Sequence, residues 1–352
     1  MDSVGITRLG SPLSLPQLSI VIPALSTLDA LETTLVSVLQ NRPQDCEVVV
    51  VLNRAYDDPY SLSGEVRFLV VREAQSLAQS LSAAVQACRG MVVHVLAAGV
   101  EVDEGWTDAA MEHFIDNRVA AVAPLVLAER DDVTICAAGL GYSCGGRRSV
   151  LAEGSDAETL AAKAVDVLGP THFAAFYRRE SLLKLAQAFD PAVGDERIDV
   201  DTALQLKQAG YRAVLEPRSR AYRGGAEMPR ASAFAAGRGA ERLFWRNVSA
   251  FGRARSLLTH PFTLLSELFA ARSFGEKCGG LLGRLAAVAD VVSLRRHQRR
   301  LAEVGQPGLA FVVTSTGDRI RIDAAHPHPA STVKPKQPAE RRYDGESGGR
   351  AA

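Results

Sequence analysis

Four short apolar runs, rich in β-branched residues and spaced by helical patterns, restrict this 352-residue chain to a small set of folds. LSIVIPA (18–24), CEVVVVL (46–52), VRFLVV (66–71) and MVVHVLA (91–97) are continuous rather than alternating, as expected of strands buried on both faces. Between the first two, Asp29 to Leu39 puts Leu31, Leu35, Val38 and Leu39 on one helical face. Ser76 to Cys88, rich in Ala, Leu and Gln, also reads as a helix. Strands alternating with helices need crossover connections. The chain is therefore expected to build an α/β domain around a mostly parallel sheet, with ligands beyond the carboxyl ends of the strands.

Charge sets the boundaries. Lys+Arg and Asp+Glu both number 40, and the resulting formal charge of +0 argues against a whole-protein affinity for nucleic acid. The zero is a cancellation: residues 1–229 hold 20 Lys+Arg against 30 Asp+Glu, whereas residues 230–300 hold 13 against 4. The sign changes near Pro229, which predicts an acidic body over 17–228 and a basic helical arm over 229–304. Pro261 and Gly279-Gly280 punctuate the arm. Its apolar residues, among them Phe244, Trp245, Leu257, Leu258, Phe262 and Leu265, are expected mostly to pack back on the body. The second reading of the arm, residues 230–300, is peripheral contact with an anionic membrane surface. FVVTSTGDRIRI predicts a hairpin within 305–323, and the Pro-, Lys- and Gly-rich 324–352 a disordered tail.

The leader, residues 1–16, lacks a basic segment followed by an apolar run, and no stretch reaches membrane-spanning length. Five cysteines without paired spacing read as free thiols. These features predict a cytoplasmic protein, with any membrane contact peripheral and on the inner face. His94 sits inside an apolar strand and reads as a core histidine, while His113 and His172 show no metal-ligand spacing. GLGYSCGGRR (139–148) reads as a hairpin or loop, because no phosphate-binding helix pattern follows it.

With the segments in order, LSIVIPALSTLDALETTLVSVLQNRPQDCEVVVVLNRAYDD resembles the opening of family 2 glycosyltransferases. RGMVVHVLAAGVEVDEGW (89–106) is similar to their central strand, and residues 169–223 are similar to their acceptor-side segment. The resemblance implies a GT-A fold and a nucleotide-sugar donor. It also implies a carboxylate base that deprotonates the acceptor hydroxyl of a glycan or lipid-linked acceptor, with inversion at the anomeric carbon. A divalent cation on an Asp-x-Asp motif normally neutralises the departing diphosphate.

The motifs depart from that pattern together. The resemblance puts Leu52 at the uracil-binding Asp, Ala97 and Gly99 at the two carboxylates, and Arg223 at the late metal-binding His. No divalent metal or other cofactor is therefore predicted, and arginines are expected in its place. Arg54, Arg72, Arg178, Arg179 and Arg223 are the candidates. On the donor and phosphate side the expected residues are Asn53, Asp57, Arg72 and Arg223. On the acceptor side they are Asp201, Trp106 and Arg178. Asp199 stands at the catalytic carboxylate, with a second reading as the cap of a helix over Thr202–Gln208. Two functions follow: a metal-independent glycosyl transfer, or a catalytically inactive GT-A domain that binds carbohydrate or acts as a scaffold in polysaccharide assembly.

Overall fold

The computed structural model describes residues 16–304, apart from 25–26, 73, 75, 131–132, 161–162, 225, 227–230, 249–251 and 271–272. It also describes strand residues 312–314 and 319–320, and side chains are described as far as residue 289. The expectations for residues 1–15 and for the tail after residue 323 lie outside the described residues.

The apolar runs become strands close to the expected bounds. β1 (Leu18–Ala24), α1 (Leu28–Gln40), β2 (Cys46–Leu52), β3 (Val66–Val70), α2 (Leu77–Ala87) and β4 (Val92–Leu96) form the first half. Thr27 and Ser76 cap the two helices by accepting from the N–H groups of Ala30 and Gln79. The carboxylate of Asp195 adds a second cap to α2, accepting from Leu77 N at 3.0 Å and Ala78 N at 3.2 Å. β1 pairs in parallel with β2 and β4, and β2 in parallel with β3, so each link is a helical crossover or a loop over one face.

The second half widens the sheet. β5 (Glu101–Val102), α3 (Asp108–Glu112), β6 (Val119–Leu127) and β7 (Ile135–Ala137) follow. Next come a separate hairpin of β8 (Leu140–Tyr142) and β9 (Arg148–Val150), and then β10 (Val165–Val167). The hairpin matches the reading of GLGYSCGGRR. β11 (Ala174–Arg178), α4 (Arg179–Lys184), α5 (Ile198–Gln208) and β12 (Arg212–Tyr222) complete the body. β11 is inverted, antiparallel to both β4 and β6, while β6 and β12 are parallel. The result is a sheet whose central strands β1 to β4, β6 and β12 are parallel, with β11 reversed between β4 and β6 and the short β5, β7 and β10 adding antiparallel, covered by helices: the expected α/β architecture.

α6 (Ala233–Asn247), α7 (Arg253–Ala270) and α8 (Phe274–Val304) make the arm. β13 (Val312–Thr314) and β14 (Arg319–Ile320) pair with each other, and β13 adds antiparallel to β3. Two expectations for the arm need correction. Pro261 lies inside α7, and Gly279-Gly280 lies inside α8. The glycines serve close packing rather than a break: a Cβ on Gly237 would meet Gly280 O at 2.2 Å, and one on Gly283 would meet Phe234 O at 2.0 Å. α6 follows the packing expectation, burying Leu243 and Phe244, whereas Leu257, Leu258, Phe262 and Leu265 of α7 stay exposed.

Candidate functional site

The parallel strands β1 to β4, β6 and β12 end on one edge, and the candidate site is built there. After β4 the chain turns at Gly99, whose φ of +90° suits glycine. Gly99 N donates to Ala30 O at 2.8 Å and to Thr34 Oγ1 at 2.8 Å, which fixes the turn on α1. Ala97 N donates to Phe173 O at 2.9 Å, tying the same turn to the start of β11. The positions of the expected carboxylates are thus a buried alanine and a glycine.

The nearest acids, Glu101 and Asp103, are already neutralised. Arg130, just beyond β6, donates from Nε to Glu101 Oε2 at 3.0 Å and from NH2 to Val102 O at 3.1 Å, and also pairs with Asp103. Its guanidinium sits 5.4 Å from the ring centre of Tyr222, whose hydroxyl donates to Asp103 Oδ2 at 2.5 Å. Burial, together with Asp103, pushes the Tyr222 hydroxyl up to about 12. A divalent cation would have to displace Arg130 from both carboxylates. Among the described residues no group of three His, Cys, Asp or Glu side chains could hold a metal ion. The residues present do not fit the cation that the Asp-x-Asp motif serves. Arg130 escaped the sequence reading because its partners lie 27–29 residues away with no local signal.

Arg223 directly follows β12, its N–H donating to Leu127 O at 2.8 Å. Its guanidinium lies 5.2 Å from the centre of the Phe173 ring, beside the Ala97–Gly99 turn to which Phe173 O is bonded. Nε donates to Ala226 O at 3.3 Å, and the residue is exposed. On the other flank, Val71 N donates to Leu52 O at 2.7 Å, so Asn53 and Arg72 leave neighbouring strand ends together. Asn53, Arg72 and Asp57 are exposed, whereas Leu52 is buried in the core.

Asp199 is 1% exposed. Its Oδ1 accepts from Val200 N at 2.7 Å and Arg148 Nε at 3.2 Å, and its Oδ2 from Arg148 NH2 at 2.6 Å. His172 Nδ1 lies 2.9 Å from Oδ2, an ion-pair separation but off the line of a hydrogen bond. Burial alone would raise this carboxyl group. Its contacts with His172 and with the Arg148 guanidinium outweigh it and hold Asp199 well below the usual carboxylate range. The capping alternative is corrected: α5 starts at Ile198, Arg197 takes the cap position, and no side chain caps the helix. His172 and Arg148 had no signal in the sequence that linked them to Asp199.

Residues 19–185 match the family model for Glycosyl transferase family 2. Over those residues, just under half of the chain, the protein is glycosyltransferase family 2-like. Among solved structures, it is similar to the crystal structure of GalNAc-T7 with UDP, GalNAc and Mn2+, at 15% identity and a TM-score of 0.52. That match covers 80% of this chain and 58% of the other, so this chain spans less than two thirds of that structure. The mannosyltransferase PcManGT from Pyrobaculum calidifontis, in complex with GDP-Man and Mn2+, aligns at 18% identity and a TM-score of 0.47, covering 82% of this chain and 85% of that one. No curated protein matches the sequence. The GT-A fold agrees with the order of strands described above.

In this family 2-like fold the three expected acceptor-side residues are engaged by the protein itself. Trp106 is buried, donating from Nε1 to His94 Nε2 at 3.1 Å, while its carbonyl accepts from Ser219 Oγ at 2.6 Å. His94 stacks 3.6 Å from Phe176 and is kept neutral by burial, down to about 3, which agrees with its reading as a core histidine. Arg178 pairs in register with Val92, at the amino end of β4 and so across the sheet from the site. Its guanidinium binds the carbonyls of Val119, Phe114 and Asp116. Arg179 likewise binds Val85 O and Gln86 O. Asp201 is buried beneath α6, where Oδ2 accepts from Gln205 Nε2 at 2.8 Å and Arg246 NH1 at 3.1 Å. Trp106 and Asp201 are thus buried and bonded within the protein, and Arg178 alone is placed by its register at the opposite end of the sheet.

Proposed function

We propose that this domain binds a nucleotide-sugar donor at the carboxyl edge of its sheet, using arginines where related sites use a divalent cation. The reading is carried by one observation: Arg223 lies over Phe173 beside the Ala97–Gly99 turn, with no free carboxylate there to hold a metal. A guanidinium can offer two parallel N–H donors and a permanent charge to a diphosphate. Asn53 and Arg72 supply polar contacts on the adjoining strand ends, with Asp57 in the loop that follows β2.

In the transfer step, the acceptor hydroxyl oxygen bonds to the anomeric carbon while the bond from that carbon to the diphosphate oxygen breaks, inverting configuration. The proton needs an acceptor. Asp199 is held by Arg148 and His172, so in this reading His172 Nε2, the nitrogen turned from Asp199, takes the proton. Asp199 is then the positioning residue that orients the ring and stabilises its charged form. The acceptor is a glycan or a lipid-linked glycan, with any membrane contact made peripherally.

Calorimetric titration with a panel of nucleotide sugars tests the donor site. Saturable binding unaffected by EDTA or Mn²⁺, and lost in Arg223→Ala, is the expected result. Binding that requires Mn²⁺ refutes it. The closure of Arg148 on both oxygens of Asp199 favours a second reading, in which the domain binds donor or glycan without transfer. Release of nucleoside diphosphate in the presence of acceptor, abolished in His172→Asn with donor affinity retained, distinguishes the two.

A further inference from the structure

α7 is amphipathic with its faces reversed. The residues it turns inward are polar: Ser256 and His260 are buried, with Glu267 half-buried at the same helical spacing. His260 Nδ1 lies 2.7 Å from Gly145 O and Nε2 lies 3.2 Å from Glu241 Oε1. Arg284 of α8 donates to Glu241 Oε2 at 2.8 Å and pairs with Glu267. The outward face is apolar and spaced as one helical stripe: Leu258 is 72% exposed, Phe262 74%, Leu265 50% and Phe269 76%. α8 repeats the arrangement, with Gly283, Arg284 and Ala287 buried against the protein and Leu281, Leu282, Leu285 and Val288 exposed. Phe274, at the start of α8, is 81% exposed.

A water-facing surface of this composition is unfavourable unless it is covered. The charges indicate what covers it. Of the four acids in residues 230–300, Glu241 and Glu267 are paired with Arg284 inside the arm, which leaves two acids against the remaining cations. Arg253 and Arg255, which open α7, are exposed, and the last turns of α8 carry Arg295, Arg296, Arg299 and Arg300 in sequence. Apolar side chains flanked by cations are the composition of a helix lying in a bilayer interface, with its apolar face among the acyl chains and its cations at the headgroups. No helix among the described residues is long and apolar enough to cross a membrane.

We propose that the outer face of α7 and α8 is an interfacial surface that seats the protein on a bilayer containing anionic lipid. Its polar inner face is bonded into the protein, so the apolar stripe is held outward without any rearrangement. The proposal locates the peripheral membrane contact on named residues. It stands apart from the donor-site reading, since the assay below contains no nucleotide sugar.

The test is co-sedimentation of the full chain with sucrose-loaded vesicles of phosphatidylcholine containing a quarter phosphatidylglycerol. The wild type should sediment with these and much less with pure phosphatidylcholine, and binding should weaken in high salt. Phe262→Ser with Phe269→Ser should lower the partition coefficient by about tenfold or more, because two exposed rings lose their burial in lipid. Arg253→Gln and Arg255→Gln should each lower it about fivefold on the anionic vesicles alone. An unchanged thermal transition confirms that the exposed substitutions leave the fold intact. Failure of the wild type to sediment with anionic vesicles overturns the proposal, as does equal binding by the phenylalanine variant. A wild-type dimer in solution that this variant dissociates, without vesicle binding, assigns the face to a second copy of the chain instead and also overturns it.

Discussion

Replacing Asp201 with asparagine should change how the stability of this domain depends on pH. The wild-type carboxyl is fully buried under α6 and its Oδ1 has no hydrogen-bond partner. Burial pushes its pKa up from 3.8 to about 6, with Arg246 opposing and Asp190 adding to the rise. A raised native pKa means that the native state holds its proton where the unfolded chain has released it. Stability from this group is therefore complete below the unfolded value of 3.8 and falls as pH rises through about 6. The total loss at neutral pH is about 3 kcal/mol, most of which falls between pH 4 and pH 7. The amide of the Asp201→Asn variant cannot ionise, can still accept from Gln205, and leaves Arg246 its 2.9 Å contact with Asp190 Oδ2. Urea unfolding of both proteins at pH 4 and pH 7 isolates the effect, since every other titrating group cancels in the difference. Relative to wild type, the variant should gain about 2–3 kcal/mol on going from the lower to the higher pH. Parallel pH profiles would refute the reasoning and show that Arg246 keeps Asp201 ionised throughout.

Asp199 should behave in the opposite sense. Its pKa is held low, so its stabilisation is present above the ordinary carboxylate range and is lost as pH falls toward the native value. Asp199→Asn leaves Arg148 without its partner and should cost about 3–5 kcal/mol at pH 7 by chemical denaturation, with the deficit shrinking in acid. Gly283→Ala, ordinarily favourable in a helix, should instead lower the thermal midpoint, because the new Cβ meets Phe234 O at 2.0 Å; the cost is about 1–3 kcal/mol. Arg178→Met should destabilise the fold by removing three carbonyl partners while nucleotide-sugar affinity, measured calorimetrically, stays at the wild-type value. Arg130→Ala frees Glu101 and Asp103 and should create a Mn²⁺-dependent rise in melting temperature that the wild type lacks.

The site was legible in the sequence wherever position along a strand determined it. Ala97, Gly99, Asn53 and Arg223 follow strands whose apolar runs are unmistakable, and each lies at the expected edge. Arg178 also closes such a strand, but β11 is inverted, and that reversal puts its end on the far side of the sheet. An inverted strand has the same apolar run as a parallel one, so nothing local could reveal it. The same limit applies to Arg130, Arg148 and His172. Each acts through a carboxylate far along the chain, and a pairing of that kind exists only once the strand order has brought its members together.

The arm shows the division most sharply. Its basic charge and its helices were evident from residue types and spacing alone, since those are properties of the local chain. Which face of α7 points inward was not, because an apolar stripe normally predicts the buried side. Here Glu241, Gly145 and Arg284 provide partners for His260 and Glu267 on the inner side of the helix, while α6 and α8 close through glycines that leave no room for leucines between them. Sequence by itself determined the elements, the order of motifs and the loss of the Asp-x-Asp carboxylates. Only the tertiary structure decided which charges are neutralised, which ends of strands share an edge, and which side of an amphipathic helix faces outward, because each depends on partners that lie far apart in the chain.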